Sequence, residues 1–325
     1  MELTLYKYHS FGNDYLIYDS TKNDYELTTE DIRYICDRRF GVGSDGILIG
    51  PVTMFGKTGV KIYNPDGSEA AISGNGLCIF AKYLKDAGYS MKKEFALQTV
   101  SREVSIHYHN EEATEMTISM GKLYCGQTGD GHEEIGKPIT IKYNGKTYEG
   151  TCVWMGNLHC IIPMDEISKE AVCKIGRMLE ESGRFPDGIN TQLIKIQDKN
   201  HILTEVYERG AGYTYASGSS CCAAAGAAYR MGLTDPKVFV EMPGGSLLVD
   251  IDEDMNAQMK GKADHVGRII LSDEFLRKYG IGILFEHAGT QHHLLEFGIS
   301  GRQFSCGISQ NLFYFRFFCH RFIID

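Results

Sequence analysis

Two short stretches of the sequence place a serine directly ahead of a run of small, helix-forming residues. They are Ser73-Gly74-Asn75-Gly76 and Ser217-Gly218-Ser219-Ser220. A serine at this position is typical of a helix N-cap, because its hydroxyl accepts a hydrogen bond from an unpaired backbone N–H. The free N–H groups and the helix dipole also attract an anion such as a carboxylate or a phosphate. Each stretch therefore predicts a helix start that binds an anionic group.

The two serines are 144 positions apart (217 − 73 = 144), and the same spacing recurs along the chain. It joins Gly12-Asn13 to Gly156-Asn157, Tyr63 to Tyr207, Cys78 to Cys222, and Gly88 to Gly232. An offset held at so many positions indicates an internal duplication. We expect two copies of one α/β unit to pack with their helix starts facing each other.

The elements that position these helix starts follow from local sequence patterns. Alternating apolar residues over 1–20 predict a hairpin or two short strands. Helices are predicted from Thr28-Thr29-Glu30-Asp31, from Ser73-Gly74-Asn75-Gly76 to about Ala87, over about 169–181, and from the Ser217 stretch to Gly232. Short strand patterns separate the helices, so the fold class is mixed α/β.

Composition excludes several classes of function. The formal charge of −9 argues against a nucleic-acid partner, which requires a basic surface. The N-terminus has no signal-peptide pattern and no run of 18 apolar residues occurs, which predicts a cytoplasmic protein without a membrane partner. Ten scattered cysteines lack the paired spacing of a zinc or disulfide framework, so we expect reduced thiols and no metal.

Several stretches together resemble diaminopimelate epimerase and, more loosely, the cofactor-independent amino-acid racemases. The matching stretches are Gly12-Asn13-Asp14, Gly41-Val42-Gly43-Ser44-Asp45-Gly46, Asn64-Pro65-Asp66-Gly67-Ser68-Glu69, Gly74-Asn75-Gly76, Met155-Gly156-Asn157-Leu158-His159-Cys160, Asn190, Tyr207-Glu208-Arg209-Gly210-Ala211-Gly212 and Pro243-Gly244-Gly245. The resemblance implies two pseudo-symmetric domains, each a set of strands wrapped around a central helix, with the active site in the cleft between them. We expect domains over 1–120, completed by about 263–276, and over 121–262, with a boundary near 118–122. Residues 281–325 are expected to form a tail unrelated to the family.

The resemblance also implies an isomerase that interconverts L,L- and meso-diaminopimelate by two-sided proton transfer, in the pathway to lysine and peptidoglycan precursors. It implies no cofactor and a small amino-acid substrate, and it leaves a homodimer possible. In the family, the two acid/base groups are cysteines, which stand where this chain has Ser73 and Ser217. Cys78 and Cys222 occupy the family's second cysteine position of each stretch, and Cys221 lies one helical turn past Ser217. We interpret all three as small buried residues.

The two serines predict weak activity. A thiol has a pKa of about 8.5 that a helix start lowers further, whereas a hydroxyl is a far weaker acid. A serine normally becomes a base only beside a histidine or a lysine, and neither stretch contains one, although His159 is a candidate neighbour. Two alternatives stay open. In the first alternative to an epimerase, the chain is an amino-acid-binding protein without catalysis. In the second, it is a racemase or dehydratase of another polar amino acid.

Substrate binding is expected from residues around the helix starts and from a second group that holds the distal end of the substrate. By resemblance, Glu208 suits an ammonium group and Arg209 suits bidentate capture of a carboxylate. The full set is Asn13, Asn64, Gly74, Asn75, Asn157, His159, Asn190, Glu208, Arg209, Gly218 and Ser219.

Overall fold

The computed structural model describes residues 2–90, 92–126 and 135–282. Within them lie eighteen strands and five helices. The first half contains β1 (Thr4–Ser10), β2 (Asn13–Tyr18), α1 (Thr29–Cys36), β3 (Ile47–Met54), β4 (Lys57–Tyr63), β5 (Glu69–Ala70), α2 (Gly74–Asp86), β6 (Glu94–Gln98), β7 (Glu103–Tyr108) and β8 (Glu115–Lys122). The second contains β9 (Pro138–Tyr143), β10 (Lys146–Trp154), β11 (Leu158–Pro163), α3 (Lys169–Glu180), β12 (Asn190–Asp198), β13 (His201–Glu208), β14 (Gly212–Thr214), α4 (Gly218–Arg230), β15 (Lys237–Met242), β16 (Gly245–Ile251) and β17 (Asn256–Lys262). β18 (Asp264–Ile270) and α5 (Asp273–Tyr279) follow. The mixed α/β class is confirmed.

The strand pairings repeat from one half to the other. β2 and β3 pair in parallel, as do β11 and β12, and β4 and β6 pair in parallel, as do β13 and β15. β18 lies antiparallel to β1 in the way that β9 lies antiparallel to β10. β8 and β17 pair with each other and join the two halves. The sheet therefore carries the duplication that the sequence offset predicts.

Backbone conformation at the two helix starts repeats as well. Ser73 has φ −141° and ψ 116°, and Ser217 has φ −144° and ψ 121°. Gly12 and Gly156 both adopt a positive φ, 82° and 86° respectively. Because a positive φ disfavours residues with a side chain, the two glycines keep the same tight turn in both halves.

The sheet encloses α2 and α4, which lie in one hydrophobic core. Residues 74–84 of α2 are buried throughout. α4 is made of Ala, Gly, Ser and Cys over most of its length, and these small side chains let the surrounding strands approach closely. Separate clusters of buried residues lie against α3 and against α1 and α5. Burial in the main core fixes the two central helices, α2 and α4, in position along most of their length.

Some sequence predictions need qualification. β9 and the start of β10 lie within the Gly-rich, polar stretch 121–150 and form a hairpin with Asn144-Gly145 as its turn. Contacts keep residues 2–282 in one compact unit, so the boundary near 118–122 stays a prediction. The predicted 281–325 tail lies outside the described residues apart from Ile281 and Gly282. No helix within the described residues is long and apolar enough to cross a membrane.

Candidate active site

The N-termini of α2 and α4 touch. A β-carbon at Gly74 would lie 3.2 Å from the Cα of Gly218, and one at Gly218 would lie 3.1 Å from the Cα of Gly74. Met120 and Met259 pack against the same contact. Only glycine allows this approach without displacing backbone, so the two unsatisfied helix starts and their dipoles converge on one region.

Ser73 caps α2 and is half-buried. Its Oγ accepts a hydrogen bond from the backbone N–H of Gly76 at 3.1 Å and a second from the Tyr15 hydroxyl at 3.2 Å. Both described contacts use oxygen lone pairs. The Ser73 hydroxyl therefore keeps its own proton to donate.

Ser217 caps α4 and is 6% exposed. Its Oγ accepts from the backbone N–H of Ser220 at 3.3 Å and donates to Glu208 Oε1 at 2.6 Å. The Ser219 hydroxyl lies 3.4 Å away. The Ser217 proton is thus already directed at a carboxylate, which makes its oxygen the more basic of the two.

Glu208 stands at the end of β13 and reaches the cap through its side chain. Besides Ser217, its carboxylate accepts a hydrogen bond from the Thr214 hydroxyl at 3.0 Å. Burial raises the pKa of Glu208, the two hydroxyl donors lower it, and the charge of Asp45 raises it further, with a net increase. A carboxylate with a raised pKa is a stronger base than an ordinary one, as a general base requires.

A polar chain connects the first glycine turn to both helix starts. Asn75 donates to Asn13 Oδ1 at 3.2 Å and to the carbonyl of Ala216 at 3.3 Å. Asn13 donates in turn to Asp45 at 2.9 Å. Asp45 forms an ion pair with Arg38, which also binds Asp14. The predicted residues Asn13 and Asn75 are therefore brought together and anchored to the residue that precedes Ser217.

His159 does not contact either serine among the described hydrogen bonds. Its ring nitrogens lie 2.7 Å from Asn157 Oδ1 and 3.3 Å from Gln192 Oε1, and Gln192 donates to Ser220 at 2.9 Å. Complete burial lowers the pKa of His159 to about 4. The ring is therefore neutral near pH 7. Gln192 lies between it and Ser220 at the start of α4.

The residues expected at the distal end of the substrate fall into two groups. Asn190 accepts from the backbone N–H of Arg209 at 3.0 Å and donates to the carbonyl of Leu158 at 3.0 Å, so it fixes two loops together. The exposed Arg209 guanidinium binds the carbonyl of Asp187. Asn64 donates to Ser68 at 3.0 Å within its own turn. Hydrogen bonds thus tie Asn190 to Arg209, whereas the described side-chain hydrogen bond of Asn64 lies within its own turn.

The cysteines near the helix starts are buried and protonated. Burial raises the pKa of Cys78 to about 12 and raises the pKa values of Cys221 and Cys222 well above their usual range. Cys221 contacts the sulfur of Met242 at 3.3 Å. The interpretation of these three residues as small buried side chains is confirmed.

Sequence reasoning missed three residues at this site. Tyr15 was seen only as part of a strand, Gln192 was not singled out, and Asp45 appeared only within a glycine-rich stretch. For Tyr15 a signal existed, since the 144-residue offset pairs it with His159. No pattern revealed that the Glu208 side chain would face Ser217.

Two solved structures share this fold. A hydroxyproline epimerase from Agrobacterium vitis superposes with a TM-score of 0.63 at 12% identity and covers 83% of this chain and 91% of its own. A probable proline racemase from Agrobacterium radiobacter gives a TM-score of 0.62 at 13% identity, with 83% and 93% covered. The chain therefore shares its fold with this epimerase and this probable racemase.

Sequence comparison identifies the family within that fold. The diaminopimelate epimerase family matches residues 5–125 and 151–266. Diaminopimelate epimerase 2 of Nostoc sp. is 39% identical over 278 residues, which cover 84% of this chain and 96% of the relative. The diaminopimelate epimerase of Nostoc punctiforme is 32% identical over 277 residues, with 82% and 98% covered. The chain belongs to the diaminopimelate epimerase family and is an isomerase.

Proposed function

We propose that this protein epimerises diaminopimelate by proton transfer at an α-carbon held between the starts of α2 and α4, and that its rate is low. The observation that carries the proposal is the contact of two serine-capped helix starts at Gly74 and Gly218. Backbone N–H groups and helix dipoles at such a position would stabilise the negative charge that develops on the substrate carboxylate as the proton leaves.

On the α4 side, we assign the role of base to Ser217 together with Glu208. As the substrate Cα–H bond breaks, its proton would pass to Ser217 Oγ while the Ser217 proton passes to Glu208. The electron pair of the Cα–H bond would remain on the substrate as a carbanion delocalised into its carboxylate. The raised pKa of this half-buried carboxylate supports this role.

A low rate follows from the two hydroxyls. Each is a weaker acid by several pKa units than the family's thiol at the same position, and a helix start contributes only about 1 kcal/mol, less than one pKa unit. The carboxylate partner supports abstraction on one side only. We therefore infer residual rather than full activity.

Incubation with L,L-diaminopimelate in D₂O tests the proposal. We expect slow entry of deuterium at Cα, far below the turnover of about 1 to 10³ s⁻¹ that is typical of enzymes. The double replacement Ser73→Cys/Ser217→Cys is expected to accelerate exchange. Exchange by the unaltered chain at a typical enzyme rate would refute the low-activity proposal, and failure of the double variant to exchange would refute the assigned site.

The binding-protein alternative gives a different pattern. Substrate that raises the unfolding temperature of the protein, with no deuterium entering in either the unaltered chain or the double variant, would favour binding without catalysis. A panel of other polar amino acids, followed by product analysis, would detect another racemase or dehydratase reaction.

A further inference from the structure

The described hydrogen bonds of Ser73 and Ser217 have opposite directions. Ser217 donates its proton to a carboxylate, whereas Ser73 accepts from Tyr15 and from the Gly76 N–H. An oxygen with both lone pairs occupied cannot take a proton without losing a hydrogen bond, but its own proton is free to leave. The α2 side therefore has the geometry of an acid and the α4 side that of a base.

We propose that the Tyr15 hydroxyl replenishes, through Ser73, the proton that is delivered to the substrate on the α2 side. This inference rests on the proposed function and concerns a residue to which no role has been assigned. Tyr15 does not touch the substrate in this scheme, so it acts as a relay and positioning residue behind Ser73.

The surroundings of Tyr15 suit a proton donor. The ring is 6% exposed and is held by Gly46, where a β-carbon would lie 2.6 Å from Tyr15 Cε1. Burial, with the charges of Glu208, Asp45 and Cys36, raises the pKa of Tyr15 to about 12, although the contact with Ser73 lowers it. The phenol therefore stays protonated near neutral pH and is available to donate.

Position 159, which corresponds to Tyr15 in the second half of the chain, holds no equivalent proton donor to the cap serine. His159 lies 144 residues after Tyr15, but its ring nitrogens face Asn157 and Gln192 rather than Ser217. Burial also keeps the His159 ring neutral. The donor is therefore specific to the α2 side.

The proton balance closes with water. Ser73 O–H breaks as a new Cα–H bond forms on the α2 face, and Tyr15 O–H breaks as Ser73 regains its proton. Tyr15 is left as a phenolate and Glu208 as a carboxylic acid. The phenolate then takes a proton from solvent and Glu208 releases one to solvent, so the enzyme returns to its starting state without an oxidant or a cofactor.

The scheme separates exchange from inversion. Abstraction by the α4 side and return of a solvent proton on the same face exchanges the α-proton with retention. Inversion requires delivery from the α2 side. A substrate diastereomer whose Cα–H faces Ser217 is therefore expected to exchange with retention faster than the diastereomer whose Cα–H faces Ser73.

The test uses Tyr15→Phe in the full chain carrying Ser217→Cys, with diaminopimelate in D₂O. Deuterium entry with retention and formation of the inverted product are followed separately by mass spectrometry and chiral chromatography. We expect inversion to fall about 10-fold or more and retention exchange to fall less than about 3-fold, since only the acid is removed. Tyr18→Phe is the matched control, because it removes a buried hydroxyl from the same strand. That hydroxyl donates to the Tyr25 carbonyl and not to Ser73. Tyr18→Phe is expected to change neither rate.

The same replacement in a second variant distinguishes the Tyr15 proposal from the epimerase proposal. In Ser73→Cys/Ser217→Cys, the introduced thiol donates its own proton, so Tyr15→Phe is expected to slow inversion less than about 3-fold. An equal fall of exchange and inversion in the Ser217→Cys background, or no fall in either, would overturn the role of Tyr15 while leaving the epimerase proposal in place. Absence of exchange in the double-cysteine chain with Tyr15 intact would overturn both.

Discussion

The starts of α2 and α4 share one backbone design but have different neighbours. Their N-cap dihedral angles agree within about 5°, and each begins with Ser-Gly. The side chains that reach the caps come from strands, and there the halves differ: a tyrosine from β2 contacts Ser73, whereas a glutamate from β13 contacts Ser217. Duplication thus preserves the backbone of the two helix starts, whereas strand residues determine the side-chain hydrogen-bond partner of each cap.

The difference also changes the role expected for Glu208. Resemblance to the family assigns Glu208 to an ammonium group of the substrate, but its carboxylate here binds Ser217 and Thr214. These two roles predict different kinetics. The position 144 residues earlier is Asn64, which carries no charge and bonds within its own turn.

The largest expected effect comes from Glu208→Gln. Removing the charge while keeping the shape eliminates the base behind Ser217, so α-proton exchange at saturating substrate is expected to fall about 10²-fold or more. Glu205→Gln, on the same strand and bonded to Tyr213, is the control. Isotope exchange measured across substrate concentrations decides the role: a raised KM with an unchanged maximal rate would indicate an ammonium-binding residue instead.

The second effect concerns thiols placed at the two caps. In Ser73→Cys, the N–H of Gly76 and the Tyr15 hydroxyl would stabilise a thiolate, whereas in Ser217→Cys the Glu208 carboxylate would oppose one. We expect the thiol pKa to be lower at position 73 than at position 217 by about 1 to 3 units. The pH dependence of iodoacetamide alkylation, compared with the parent protein, measures both values, and equal values would remove the electrostatic difference between the sides.

Much of this architecture was predictable, because helix caps and the repeat are local signals. Ser73, Ser217 and the 144-residue offset are visible in the sequence, and the structure places both serines at N-caps. The β9–β10 hairpin was also predictable from Asn144-Gly145 between alternating residues, but its polar surroundings obscured it. The contact of Tyr15 with Ser73 joins residues 58 positions apart, so it depends on the path of β2 beside α2 and has no local signature.

The contact between the helix starts is expected to be sensitive to a single methyl group. Gly218→Ala would place a β-carbon 2.9 Å from Met259 Sδ and 3.1 Å from the Cα of Gly74. Because backbone cannot yield as a flexible side chain can, we expect a loss of about 1 to 3 kcal/mol in the free energy of unfolding. Gly267→Ala, in open space on β18, is expected to change it by less than about 0.5 kcal/mol. Urea denaturation of both variants measures the difference, and equal stability would show that the helix starts have room to separate.

The smallest expected effect comes from removing the cap hydroxyl of each helix. Ser73→Ala and Ser217→Ala each remove an N-cap, at a cost of about 1 kcal/mol. Ser217→Ala also removes a donor that lowers the pKa of Glu208, so that pKa rises further above its ordinary value of 4.5. A carboxyl whose folded-state pKa is raised stabilises the fold below its unfolded pKa and loses that contribution as pH rises through the folded pKa. The cost of Ser217→Ala should therefore be greater at pH 8 than at pH 4, whereas the cost of Ser73→Ala should change little. Denaturation curves at the two pH values measure this, and parallel behaviour of the variants would mean that Glu208 does not distinguish the two helix starts.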